Sequence, residues 1–227
     1  MSTLLQTYFY DPNVFEWAKH LENAWQDIRT ELDAALSLRL QNHLSNAPQW
    51  FAAYPHYVIS ETEGVAWKTL DFSFFGIKNL HNCRQCPHTA KLLEQIPELV
   101  SASFSMMEPQ THILPHKGFT QMVLRCHLGL FVPHPEQCAL RVGNQTRSWK
   151  EGKLMVFNDS FEHEAWNKSD KQRAVLMFDI AHPQCNYNAD QICRYKMERI
   201  TQDPFMQQVA DQATWIKWYE QGHFPVN

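Results

Sequence analysis

Between Asp11 and Leu36 the apolar residues fall at Val14, Ala18, Leu21, Trp25, Ile28, Leu32 and Leu36, three or four apart. That spacing predicts one stripe of a long amphipathic helix packed on a core. Asp11-Pro12 marks its start, an aspartate N-cap followed by proline at the first helical position. A break is expected before Leu44, and around Ser45–Tyr57 the pattern dissolves into a proline-containing loop. From about Tyr57 to Pro183 the apolar period changes from helical to alternating, with short runs punctuated by Pro109, Pro115, Gly118, Pro133, Gly143 and Gly152. Many strands at short intervals predict a sandwich, jelly roll or barrel. The last zone returns to helix. Asp203-Pro204 repeats the cap-and-proline signature, and Gly222 stands where a C-terminal cap belongs. The chain reads as a single, mainly β domain with flanking helices: a helical segment over 1–56, a jelly-roll core over 57–183 and a helical segment over 184–227.

Several strands carry an unusual polar face. In Met122–Gly129 the alternation sets Val123, Arg125, His127 and Gly129 against Met122, Leu124, Cys126 and Leu128. Ser103 and Ser105 oppose Phe104 and Met106, and Trp67, Thr69, Asp71 and Ser73 oppose Lys68, Leu70, Phe72 and Phe74. Arg173, Val175, Met177 and Asp179 share a face in Arg173–Ile180. Arginine, histidine and serine on matching faces suit a small anionic ligand, such as a dicarboxylate, held inside a jelly roll. Faces that simply meet solvent would show the same alternation, and periodicity does not separate the two.

Composition narrows the class. With 227 residues, 44% hydrophobic and 19% charged, the chain buries a core and is not a disordered segment. A net charge of −4 with scattered basic residues leaves no electrostatic footprint for nucleic acid and no polybasic membrane patch. No apolar run approaches the ~18 residues of a membrane span, and the N-terminus lacks a signal-peptide pattern. A cytoplasmic protein without integral membrane contact is expected. Seven glycines argue against glycine-loop nucleotide binding and flexible-linker designs. Of six cysteines, Cys83-Arg-Gln-Cys86 with His88 close behind has metal-like spacing, but a structural zinc needs further ligands. Cys185 and Cys193 are the candidates to complete it, and free thiols are the simpler reading.

Among twelve histidines the metal candidates are His112, His116, His127 and His163. His116 opens His116-Lys117-Gly118 just before a strand, and His163 lies within Asn158-Asp-Ser-Phe-Glu-His-Glu-Ala-Trp166. Arg173 follows ten residues later, room for a strand, a turn and a return at similar depth. Two histidines at the mouth of a jelly roll with an arginine deeper in suit non-haem iron and an anionic cosubstrate. The usual third ligand, a carboxylate two residues after the first histidine, is missing: that position is Gly118. On these residues alone a cupin-like protein that binds metal or a small ligand, without oxygenase activity, stands beside the enzyme reading.

The blocks that carry these residues resemble the aspartyl/asparaginyl β-hydroxylase family of iron(II)- and 2-oxoglutarate-dependent dioxygenases. The matching stretches are Phe104-Ser-Met-Met-Glu-Pro-Gln-Thr-His112, Pro115-His-Lys-Gly118, Leu124-Arg-Cys-His-Leu-Gly-Leu130, Trp149-Lys-Glu-Gly152, Phe157 to Trp166, and Arg173 to Pro183. Upstream, Trp67-Lys-Thr-Leu70 and Leu92-Leu-Glu-Gln-Ile-Pro97 also fit. The resemblance implies a double-stranded β-helix, iron(II) held by His116 and His163 alone, and glycine in place of the acid. It implies 2-oxoglutarate as cosubstrate with O2, its far carboxylate on Arg173 and Ser105, its metal end near Arg125 and His127, and Trp67 in the pocket. Asp159 is then expected to hold a water in the missing ligand's place. The reaction implied is hydroxylation of an unactivated C–H bond, at the β-carbon of an Asp or Asn residue or in a related amino-acid, peptide or acyl substrate. Two departures are visible: Phe131-Val-Pro-His-Pro135 is slightly longer than the family pattern, and Asn158 stands where aspartate is common. Nothing in the N-terminal stretch resembles the membrane anchor or repeat region of the animal enzymes, so their substrate does not carry over.

Overall fold

The computed structural model describes residues 7–40 and 49–226, and the expected break before Leu44 lies outside the described residues. The chain runs β1 (Phe9–Tyr10), α1 (Glu16–Asn23), α2 (Trp25–Leu40), β2 (Phe51–Ala52), β3 (Val58–Ser60), β4 (Trp67–Phe74) and β5 (Ile77–Lys78). Two short helices, α3 (Leu80–Gln85) and α4 (Pro87–Leu93), precede β6 (Leu99–Met107), β7 (Thr111–His116), β8 (Val123–Phe131), β9 (Cys138–Val142) and β10 (Gln145–Arg147). Then come β11 (Leu154–Phe157), β12 (His163–Asn167) and β13 (Arg173–Ala181), followed by α5 (Ala189–Met197), α6 (Pro204–Val209) and α7 (Gln212–Gln221).

The strands form two antiparallel sheets. The larger has the order β1-β11-β8-β13-β6-β4-β2, with β5 paired to β4, and the smaller β10-β9-β12-β7-β3. This is a double-stranded β-helix, mainly β with flanking helices. The alternation read along the strands explains its layers. Leu70 and Phe72 of β4, Phe104 and Met106 of β6, and Leu124, Cys126 and Leu128 of β8 pack outward against Leu21, Ile28 and Leu32 of the N-terminal helices and Leu92 and Leu93 of α4. Each Leu, Ile, Phe or Met side chain among these removed from water contributes roughly 1.5–3 kcal/mol. The opposite face, with Trp67, Met107, Val175, Met155 and Phe157, meets Ile113, Leu140, Val142 and Ala165 of the smaller sheet. The unusual polar faces are therefore interior, between the sheets, and not solvent-facing.

The single long helix is a misreading at two points. Asp11 caps only a 3-10 turn over Pro12–Val14, accepting from the Asn13 amide, and the α-helix begins at Glu16. Val14 is consequently 70% exposed and does not belong to the stripe. The helix then breaks at Ala24, whose N–H reaches back to His20 and Glu22, and resumes at Trp25. The apolar spacing runs through the break because Leu21, Ile28 and Leu32 still face the large sheet. The C-terminal signals are matched: Asp203 caps α6 from the amides of Phe205 and Met206, and Gly222 closes α7 with φ 74°.

The segment read as helical over 1–56 also supplies β1 and β2 to the large sheet, and the span 57–183 includes α3 and α4. All six cysteines are free thiols. Among the described residues no group of three or more His, Cys, Asp or Glu side chains is placed to hold a metal, so Cys83 and Cys86 form no such site. Among the described residues no helix is long and apolar enough to cross a membrane.

Candidate active site

His116 closes β7 and His163 opens β12, and the two face each other in register across the smaller sheet. Their ring centroids are 4.2 Å apart at 53°. Each Nδ1 lies on a carbonyl two residues back, His116 on Leu114 at 2.7 Å and His163 on Phe161 at 3.0 Å. Nδ1–H donating to a carbonyl puts the lone pair on Nε2, the tautomer that ligates a metal. Burial pulls the His163 pKa down to about 3, with His116 adding to the effect, and burial also lowers His116. Both shifts favour the neutral imidazole, the form in which a histidine can ligate a metal. Tyr57 stacks on His116 at 5.0 Å, and Phe157 presents its ring to His163 at 5.8 Å.

The absence of a side chain at 118 has a geometric reason. The Gly118 amide donates to the Asp159 carbonyl at 2.7 Å, and a Cβ on Gly118 would overlap the Asp159 carboxylate. Asp159 thus fills the space that a residue at 118 would need. Its Oδ2 is 3.3 Å from the Arg125 guanidinium, while Oδ1 is buried without a hydrogen-bond partner. Burial raises its pKa; Arg125 opposes this and Asp179 adds to it. Arg125 is itself forked onto Asp179, Nε to Oδ1 at 2.8 Å and Nη2 to Oδ2 at 2.9 Å. Burial disfavours the charged guanidinium, but Asp179 and then Asp159 more than reverse this and raise its pKa.

Deeper in the sandwich, Arg173 is 1% exposed and its Nε and Nη1 have no partner, while Nη2 touches only the Met107 sulfur. Its guanidinium lies 4.4 Å above the Trp149 ring, and burial pulls its pKa down to about 10. Trp149 Nε1–H donates to His127 Nδ1 at 3.1 Å, which fixes the His127 proton on Nε2. That Nε2 is buried and unpartnered, and His127 is held well below its usual pKa by burial first, then by Arg173 and Arg125. Trp67 Nε1–H donates to Ser105 Oγ at 3.0 Å. The structure thus places the orphaned donors of Arg173 and His127 between the sheets with Ser105 and Trp67, on the faces the alternation marked.

Of the remaining histidine candidates, His112 sits outside this group. Its Nε2 pairs with Glu164 at 2.7 Å, and Glu164 also binds Arg141. His182 bonds the Tyr10 hydroxyl at 3.0 Å and accepts from the Gln184 amide, a structural role. Trp149 and Asp179 carry no role in the sequence reading, although each supports a residue that does. Asp179 was visible on the polar face of β13; Trp149 lies in a loop with no periodicity to mark it. A cavity of about 990 Å³ opens from this region, lined by His116, Gly118, Arg125, Asp179, Trp67 and Asp71 on the sheet side.

Over residues 22–183 the chain matches the family model described as aspartyl/asparaginyl beta-hydroxylase, a span that holds every site residue named above. The chain belongs to this family. It is 41% identical over 175 residues to an ornithine lipid ester-linked acyl 2-hydroxylase of Rhizobium tropici, covering 77% of this chain and 60% of that protein. To the human aspartyl/asparaginyl beta-hydroxylase it is 34% identical over 180 residues, covering 74% of this chain and 21% of that protein. To the mouse aspartate beta-hydroxylase domain-containing protein 2 it is 37% identical over 134 residues, covering 55% of this chain and 38% of that protein. The chain therefore spans less than two thirds of the length of each of these relatives. Gly118 lies inside the matched span, and the space a side chain there would need is filled by Asp159.

Proposed function

We propose that the protein is an iron(II)- and 2-oxoglutarate-dependent dioxygenase that hydroxylates an unactivated C–H bond. Arg173 carries the reading. A guanidinium buried without a carboxylate partner costs several kcal/mol, so an interior that keeps one is built to receive an anion. The donor set fits a non-haem metal: two neutral imidazoles in register, each with its second nitrogen tied to a carbonyl, and an unpartnered Asp159 oxygen beside them. His116 and His163 would hold the iron through Nε2, with a water on Asp159 in place of a third protein ligand.

Bound iron(II), 2-oxoglutarate and O2 would supply the oxidising power for C–H hydroxylation, with succinate and carbon dioxide as co-products. The protein's part is binding and orientation. Arg173 pairs with the far carboxylate of 2-oxoglutarate, and Ser105, oriented by Trp67, adds a hydroxyl contact. His127 offers its Nε2–H because Trp149 occupies the other nitrogen, and Arg125, clamped by Asp179, holds positive charge at the metal end. The names of the relatives support an amino-acid, peptide or acyl substrate.

The test is succinate release from protein loaded anaerobically with iron(II), then given 2-oxoglutarate, air and panels of acyl lipids, aspartyl and asparaginyl peptides and free amino acids. Succinate from the wild type, abolished in His163→Ala and in Arg173→Met, is the expected result. No succinate from wild-type protein with any panel would overturn the enzyme reading and leave a cupin-like binding protein.

A further inference from the structure

The cavity that begins at His116 and Gly118 does not end on the family's matched segment. Its far wall is built by residues after 183, outside that match, among them the apolar Phe205, Val209, Trp218 and Phe224. Two cations line this wall, Lys196 and Arg199, and Arg199 is paired with Glu198 at 3.0 Å. Lys196, on α5, is 3% exposed, and Lys, Glu, Arg and Asp are almost never this buried unless paired.

Lys196 is poorly paired. Its Nζ stands 4.0 Å from the Phe119 ring centroid and 5.5 Å from that of Phe75. The nearest carboxylate oxygen, Asp203 Oδ2, is 3.9 Å away, beyond hydrogen-bond length. Asp203 is already engaged: Oδ1 accepts from the amides of Phe205 and Met206, and Oδ2 accepts from the Tyr54 hydroxyl at 3.2 Å. Among the described residues no acceptor lies within hydrogen-bond distance of the Lys196 ammonium. Phe119, the ring beneath that ammonium, directly follows Gly118, so the cation and the histidine end line one continuous space.

We infer that Lys196 anchors an acidic group on an otherwise apolar substrate, seated between the C-terminal helices and the histidine end of the sandwich. An ammonium resting on aromatic faces keeps its three N–H donors for an incoming anion, while the rings and Val209 take the apolar body. Burial lowers the Lys196 pKa and Asp203 opposes this, so a bound anion strengthens the charged form. Calling this the substrate's seat rests on the proposed dioxygenase reading, but binding there does not need iron, cosubstrate or turnover.

The experiment is therefore a binding titration on the full chain without metal, using three probes of equal tail length: dodecanoate, dodecyl phosphate and dodecanol. Quenching of tryptophan emission reports occupancy, because Trp215 and Trp218 line the cavity. The acidic probes should bind about ten- to a hundredfold tighter than dodecanol, the range of a charge-assisted contact. Lys196→Met should remove that preference, and Lys196→Arg should retain it. The better of the two acidic probes tells a carboxylate head from a phosphate. Equal binding of acid and alcohol by the wild type, which needs no variant to fold, would overturn the inference. So would a preference that survives Lys196→Met and disappears in Arg173→Met. Failure here with succinate production intact would leave the enzyme reading standing; the reverse pattern would leave a binding site without that reaction.

Discussion

One methyl group at Gly118 separates the filled-position account of this site from a merely permissive glycine. Gly118 is not among the positive-φ glycines, so alanine is acceptable to the backbone and any cost comes from what the Cβ meets. What it meets is the Asp159 carboxylate, which is 1% exposed and cannot swing into solvent. Overpacking at a buried position costs about 1–3 kcal/mol. If the carboxylate is pushed off Arg125, from which it is 3.3 Å, part of the about 3–5 kcal/mol of a broken buried pair is added. Gly118→Ala should thus destabilise by about 2–3 kcal/mol, or about 5–10 °C in Tm for a chain of this size. The decisive assay is a double-mutant cycle in urea with Asp159→Ala, which removes the obstacle. The two substitutions should couple by at least about 1 kcal/mol. Additivity within about 0.5 kcal/mol would refute the steric argument and with it the claim that Asp159 fills the space a side chain at 118 would need.

Three further outcomes follow from the same geometry. Arg173→Met removes an uncompensated buried charge at nearly constant volume, so thermal unfolding without ligand should show stability unchanged or raised by about 1–4 kcal/mol, while any rise in Tm with added 2-oxoglutarate disappears; a large loss of stability would contradict it. Trp149→Phe leaves His127 Nδ1 buried without its donor and should cost about 1–3 kcal/mol in urea unfolding, with a cost below about 0.5 kcal/mol counting against the tautomer argument. Burial pushes Asp71 up to about 6, the Thr69 hydroxyl opposing. A folded-state pKa above the unfolded value means this group's stabilisation is full below about pH 4 and is lost as pH rises through about 6. Urea midpoints of the wild type should fall relative to Asp71→Asn across that window; parallel curves would refute it.

How much of this was legible in the sequence depends on the length scale of each feature. Strict alternation in β8, β4 and β6 sorted Arg125, His127, Trp67 and Ser105 onto one face of their strands because strands of eight or nine residues repeat the pattern often enough to read, but it did not say whether that face met solvent or the interior. The two-residue strands β1 and β2 have no period, so their place in the large sheet was hidden. The break at Ala24 was masked because the residues on either side of it face the same sheet. Residues separated by 54 positions, as Arg125 and Asp179 are, meet only through the β8–β13 register, which local pattern does not encode. The Gly118–Asp159 contact joins two loops and was likewise unreadable, although the resemblance had marked both residues. The C-terminal wall of the cavity lies outside the recognised family span, so neither periodicity nor resemblance pointed to Lys196.

The short strands that escaped the sequence reading have a consequence for the protein's behaviour in a crowded solution. The large sheet ends in β1 and β2, two residues each, and the smaller in β10 and β3, three each. Unpaired strand rims recruit other chains, and very short outer strands offer them little to pair with. The nine-residue, largely buried strands β6, β8 and β13 are each flanked on both sides. Phe9 and Tyr10 pair with Phe157 and Val156 along the outer side of β11, whose four residues Leu154–Phe157 are all buried, and Glu22 accepts from the Leu154 amide beside them. Those two aromatic residues therefore cover the Val156–Phe157 rim, and a chain clipped after Tyr10 would expose that rim as a template for pairing with its neighbours.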